Sequence, residues 1–186
     1  MLYQYKQFNF SFVIIASEGN IGLIKSTIRS IKNNYENIPY ICIVPKHIHE
    51  ESFKEIKEIC NCYKGKDTII SLINTGFSKG NKEWNILVME GAWVKSGLDK
   101  KYSLYLEDEN DILFPIVADY NTKGNAIKIY NTFDTCSLNG LMMHQKMFKK
   151  NGKLADAPIE MSKLIWGNDA INKGAKFKAI LGAKIC

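Results

Sequence analysis

Residues 10–17, FSFVIIAS, form an unbroken apolar, β-branched run ending in small residues, the pattern of a strand buried on both faces. After the turn EGN, apolar residues recur at Ile21, Leu23, Ile24, Ile28 and Ile31, the spacing of an amphipathic helix. NNYENIP breaks that helix, and YICIV (40–44) predicts a second buried strand. Glu50 to Cys60 reads as a more polar helix, and TIISLI (68–73) as a third strand. NTGFSKGN (74–81) reads as a glycine-containing loop, KEWNILVMEGAWV as a helix, and YSLYL (102–106) as a fourth strand feeding the acidic stretch EDEND. Beyond residue 120, NAIKIYNTF and SLNGLMMH predict strands with no full helix between them. QKMFKKNGKL predicts a short helix stopped by glycine. APIEMSKLIWGNDAINKGAKF predicts one helix or two, and FKAIL a last strand.

Strands alternating with helices imply an α/β domain: a mostly parallel sheet with right-handed crossovers that turns mixed toward the C-terminus, helices covering both faces. At 186 residues, with no repeat or linker, the chain reads as one domain. Ligands of open α/β sheets bind at the carboxyl ends of the strands. On this reading SEGN, PKH, NTGFSKGN and EDEND are the candidate loops.

Composition narrows the field. No apolar run reaches the roughly 18–20 residues needed to cross a bilayer, and MLYQYKQFNF has no signal-peptide pattern, so a cytoplasmic location is expected. The net charge of +6 suits an anionic small molecule or peripheral contact with an anionic membrane. A single arginine and no basic stripe argue against nucleic-acid binding. The five cysteines read as reduced structural thiols, and His47 and His49 as part of a helix-entry loop. No phosphate-loop or dinucleotide fingerprint is present.

Taken in order, VIIASEGNIGLIKSTIRSIKNNY, NTGFSKGN, YLEDENDILFP, NGLMMHQKMF and WGNDAIN resemble the successive motifs of family-2-type glycosyltransferases of the GT-A fold, a Rossmann-like domain. The resemblance spans nearly the whole chain. It implies a nucleotide-sugar-binding half (about 1–111) and an acceptor-side half (about 112–186). It also implies inverting transfer of a sugar from a nucleoside diphosphate to an acceptor hydroxyl, assisted by Mn²⁺ or Mg²⁺. It makes Ala16, Ser17, Glu18, Asn20, Lys79, Asn81 and Asp108 donor-binding, Asp108 and Asn110 metal ligands, Asp169 the general base and Trp166 an acceptor platform; Asp156 and Glu160, in the same region, are fallback candidates for the base.

Each assignment has a plainer counterpart. EDEND also reads as a solvated turn, with Asp111 favouring the start of a helix near Ile112. Asn20 and Asp169 suit helix N-caps, Lys79 a surface loop, and Trp166 packing. Two rivals stand beside this reading. One is a non-catalytic sugar- or nucleotide-binding descendant, favoured by Asn110 and by Val44-Pro45-Lys46 where the family usually has an acid. The other is a sugar-phosphate nucleotidyltransferase, and the absence of a Gly-rich, Arg-containing loop from SEGNIG argues against it. The charge of EDEND itself needs an offset from solvent, a basic partner or a bound cation.

Overall fold

A computed structural model describes residues 8–120, 126–130, 137–181 and 185. Cys136, Cys186 and both ends of the predicted strand NAIKIYNTF lie outside the described residues. The chain opens as foreseen, with β1 (Phe10–Ile15), α1 (Ile21–Asn34), β2 (Tyr40–Pro45) and α2 (Glu50–Ile59). β3 (Asn61–Gly65), α3 (Ile69–Lys79), β4 (Trp84–Met89), α4 (Leu98–Ser103) and β5 (Asp111–Pro115) follow. A two-stranded ribbon of β6 (Val117–Tyr120) and β7 (Ala126–Tyr130) precedes β8 (Met142–His144), α5 (Gln145–Asn151), α6 (Ile159–Asn172) and β9 (Lys176–Ile180).

The main sheet has the order β3-β2-β1-β4-β8-β5-β9. Strands β3, β2, β1 and β4 run parallel; β8 is antiparallel to both β4 and β5, and β5 is again parallel to β9. The mixed sheet expected toward the C-terminus is therefore present. Alternation along β1 sends Phe12 and Ile14 to one face, where they meet Ile24, Ile28, Ile31 and Ile56 from α1 and α2. Val13 and Ile15 point to the other face, against Ile73 and Phe77 of α3 and Met147, Phe148 and Trp166 of α5 and α6.

Between residues 61 and 115 the predicted elements are displaced. TIISLI is the first half of α3, not a strand. Thr68 caps it by accepting from the Ser71 N–H at 3.2 Å, and burial continues at helical spacing through Ile70, Ile73 and Phe77. NTGFSKGN is accordingly mostly the second half of that helix rather than a loop. The real third strand is NCYKG, an edge strand with only Cys62 fully buried, so it carries no apolar run to betray it. WNILVM is a strand buried between both helical layers, not a helix. Tyr102 and Ser103 end α4, and Ile112 lies in β5. Short apolar runs do not distinguish a buried strand from a buried helix, and here each was assigned the wrong way round.

Candidate functional site

The displacement decides which loops share an edge. β1, β2 and β4 all end on the carboxyl side of the sheet, and β8, running the other way, begins there. Ala16 leaves β1 buried, its N–H donating to the Ile43 carbonyl at 2.9 Å. Glu90 leaves β4 beside it, its N–H donating to the Ile15 carbonyl at 3.0 Å. The Glu90 carboxylate reaches across to the β1–α1 loop. Its Oε1 accepts from the Glu18 N–H and from the Ser17 hydroxyl (3.4 Å), and its Oε2 from the Asn20 N–H at 3.1 Å. Burial pushes the Glu90 carboxyl up, with a contribution from the charge of Glu18, while the amide donors pull it back down.

Asn20 is the N-cap of α1. Its side-chain oxygen accepts from the N–H groups of Gly22 (3.0 Å) and Leu23 (3.2 Å). Gly19 makes the turn at φ +66°, and Glu18 is exposed above it. On the far side of β4, the Asn139 side chain accepts from the Met89 N–H at 3.0 Å, bringing the loop before β8 to the same edge. Trp93, three residues after Glu90, is 43% exposed. Ala16, Ser17, Glu18 and Asn20 thus meet Glu90, Asn139 and the turn that carries Trp93. Glu90, Asn139 and Trp93 were missed on sequence. The signal for Glu90 was available: WNILVM read as a buried strand puts a carboxylate at its end.

The remaining candidates lie elsewhere. β5 begins where the acidic stretch ends, so residues 107–111 belong to the amino edge of the sheet. Asp111, fully buried, accepts from the N–H groups of Glu107 (2.5 Å) and Asp108 (3.1 Å) and pairs with Lys178 at 3.0 Å. Asp108 pairs with Lys176 at 2.7 Å and accepts from the Asn110 N–H at 2.8 Å. Glu109 pairs with Lys146 at 2.6 Å, and Lys178 also reaches Glu107 at 3.2 Å. These lysines hold the Asp108 and Glu109 carboxyls below their usual range. The offset to the acidic stretch is a set of lysines from α5 and β9.

The pair assigned to a divalent ion is Asp108 and Asn110, and Asp108 is already engaged by protein groups. Asp108 is spent on Lys176 and on the turn, and no group of three His, Cys, Asp or Glu side chains among the described residues is placed to hold a metal. Lys79 ends α3, on the same amino side, and Asn81 follows it. Gly76 serves packing, since a Cβ there would stand 2.5 Å from Val13 Cγ1. Asp169 lies in the last turn of α6, not at a helix start, and pairs with Lys173 at 2.6 Å. That turn joins the amino edge, where the Lys176 N–H donates to the Asn110 carbonyl at 2.9 Å. Trp166 is 3% exposed, its indole N–H donating to the Gly152 carbonyl at 2.9 Å, and offers no open platform. Glu160, in the first turn of α6, sits about 14 Å along the helix from Asp169.

His47 pairs with Asp67 at 2.9 Å in the loop that enters α2, and Cys42, Cys60 and Cys62 are free thiols. No helix among the described residues is long and apolar enough to cross a membrane. No protein-family model matches the chain, and no curated protein matches it in sequence.

Proposed function

We propose that the carboxyl-edge crevice between β1 and β4 binds a nucleotide-sugar and that the chain is a small GT-A-like glycosyltransferase. One observation carries the reading. The strand order 3-2-1-4 reverses direction between β1 and β4, the switch point at which open α/β sheets take nucleotides. The only carboxylate at the end of β4, Glu90, meets the Ser17-Glu18-Gly19-Asn20 turn there. The motif resemblance agrees with this placement for the β1–α1 loop but put the strand-end acid in EDEND, whereas the present reading takes Glu90 for it.

In the proposed mechanism Glu90 holds the loop in shape, and exposed Glu18 accepts ribose hydroxyls. The N-terminal dipole of α1 faces the diphosphate and stabilises it as the leaving group. Trp93 replaces Trp166 as the aromatic surface for a ring. With Asp169 tied to Lys173 at the opposite edge, the general base passes to Glu160, in the first turn of α6.

Release of nucleoside diphosphate from a panel of nucleotide-sugars, with and without Mn²⁺ or Mg²⁺, tests this. Release is expected with at least one donor. Glu18→Ala should weaken donor binding about tenfold, the loss of roughly one charge-assisted hydrogen bond, while Asp108→Asn and Asp169→Asn keep turnover. A second reading, donor binding without transfer, is favoured by the complete engagement of Glu90 with its own loop. Saturable donor binding with no release from any panel member would establish it instead.

A further inference from the structure

The helical layer that carries α3 holds a concavity. Between α3 and residues 153–156 lies a cleft of about 380 Å³, within the range that small ligands fill. Ser71, Asn74, Ser78 and Lys79 line one wall from successive turns of α3; Lys153 and Asp156 line the other, and Lys66 closes an end. The walls are tied together. The Asn74 amide donates to the Leu154 carbonyl at 3.0 Å and accepts from the Leu154 N–H at 2.8 Å, so the cleft is preformed.

Its lining carries a local excess of lysines. Lysines at the amino edge are matched by Glu107, Asp108, Glu109 and Asp111. Lys66, Lys79 and Lys153 make no ion pair among the described residues, with Asp156 or with any other acid. Three cations and one carboxylate leave two uncompensated positive charges in one concavity, whose low-dielectric walls concentrate the field. Lys66 and Lys79 bracket α3, whose 11 residues span about 16 Å. The lining contains no aromatic ring on which a nucleobase would stack, only ammonium, hydroxyl, amide and carboxylate groups beside two aliphatic side chains.

We propose that this cleft binds a phosphate-bearing carbohydrate, lysines at its ends and far wall holding phosphate groups while Ser71, Ser78 and Asp156 take sugar hydroxyls. The site is separate from the β1–β4 crevice and does not depend on the donor reading.

Calorimetry and amide-shift mapping on the whole chain test it, with fructose 1,6-bisphosphate, inorganic phosphate and fructose as probes. One saturable site is expected for the bisphosphate, with shifts confined to Ser71–Lys79 and 153–156 and no response to fructose. Lys79→Gln and Lys153→Gln should each weaken it about tenfold. Asp156→Asn should tighten both inorganic phosphate and the bisphosphate, because it removes a repelling charge and keeps an acceptor oxygen. No saturation at millimolar probe, shifts centred on the β1–α1 loop, or unchanged affinity in the double lysine variant would each overturn the proposal. Inorganic phosphate binding as tightly as the bisphosphate would overturn the carbohydrate assignment.

Discussion

Two backbone N–H groups and a hydroxyl converge on Glu90 at a half-buried strand end and offset part of the burial that pushes its carboxyl up. Glu90→Ala leaves the Glu18 and Asn20 amides without an acceptor. The expected cost is about 1–3 kcal/mol, read as a lower urea midpoint with unchanged m-value and faster exchange of those two amides. His144 is a second residue whose protonation state matters. Its Nδ1 accepts from the Lys146 N–H at 3.1 Å to cap α5, which requires the neutral ring, and burial holds its pKa below the ordinary 6.5. A folded-state pKa below the unfolded one contributes stability above pH 6.5 that is lost as pH falls through the folded value. His144→Asn keeps a cap and removes the titration, so its stability should be flatter across that window in urea titrations at stepped pH. At this scale the sequence was partly legible. Asn20 read correctly as an N-cap, because its partners are its own neighbours. Glu90 did not, because its partners lie about 70 residues away.

At the scale of elements, α3 and β4 show why the middle of the chain was misread. Both are apolar runs of about strand length, and only their continuations separate them. α3 keeps a buried face to Phe77, whereas burial in β4 is continuous over five residues. The glycine at 76, which suggested a loop, is a contact point. A Cβ there would meet Val13 and Ile15 of β1 at 2.5 and 3.2 Å. Gly76→Ala gains about 1 kcal/mol of helix propensity yet forces the helix from the sheet at a cost of about 1–3 kcal/mol. Thermal melts should show lower stability, against the usual effect of alanine in a helix. The same displacement moved Lys79 and Asn81 from the carboxyl edge to the amino edge. Site residues on correctly read elements, Ala16 to Asn20, landed where expected.

Over the whole molecule, charge is divided by edge. The amino edge is a belt of matched ion pairs, Asp108–Lys176, Glu109–Lys146 and Asp111–Lys178, whose exposed members contribute little each but act together. Asp108 and Glu109 have folded-state values below their ordinary 3.8 and 4.5. Their contribution is present above those values and lost as pH falls below them. Lys146→Gln with Lys176→Gln should therefore shift acid unfolding, followed by circular dichroism, to higher pH. The belt also ties β9 to the turn before β5, but the sheet as a whole hangs on less. β8, three residues long, bonds to β4 on one side and to β5 on the other, joining four parallel strands to the β5–β9 pair. During synthesis β1 to β4 can pair as soon as Met89 has emerged, but β5 has no place in the sheet until residues 142–144 arrive some 30 residues later. The pairing of β1 to β4 can therefore precede that of the half that carries Glu160, Lys153 and Asp156.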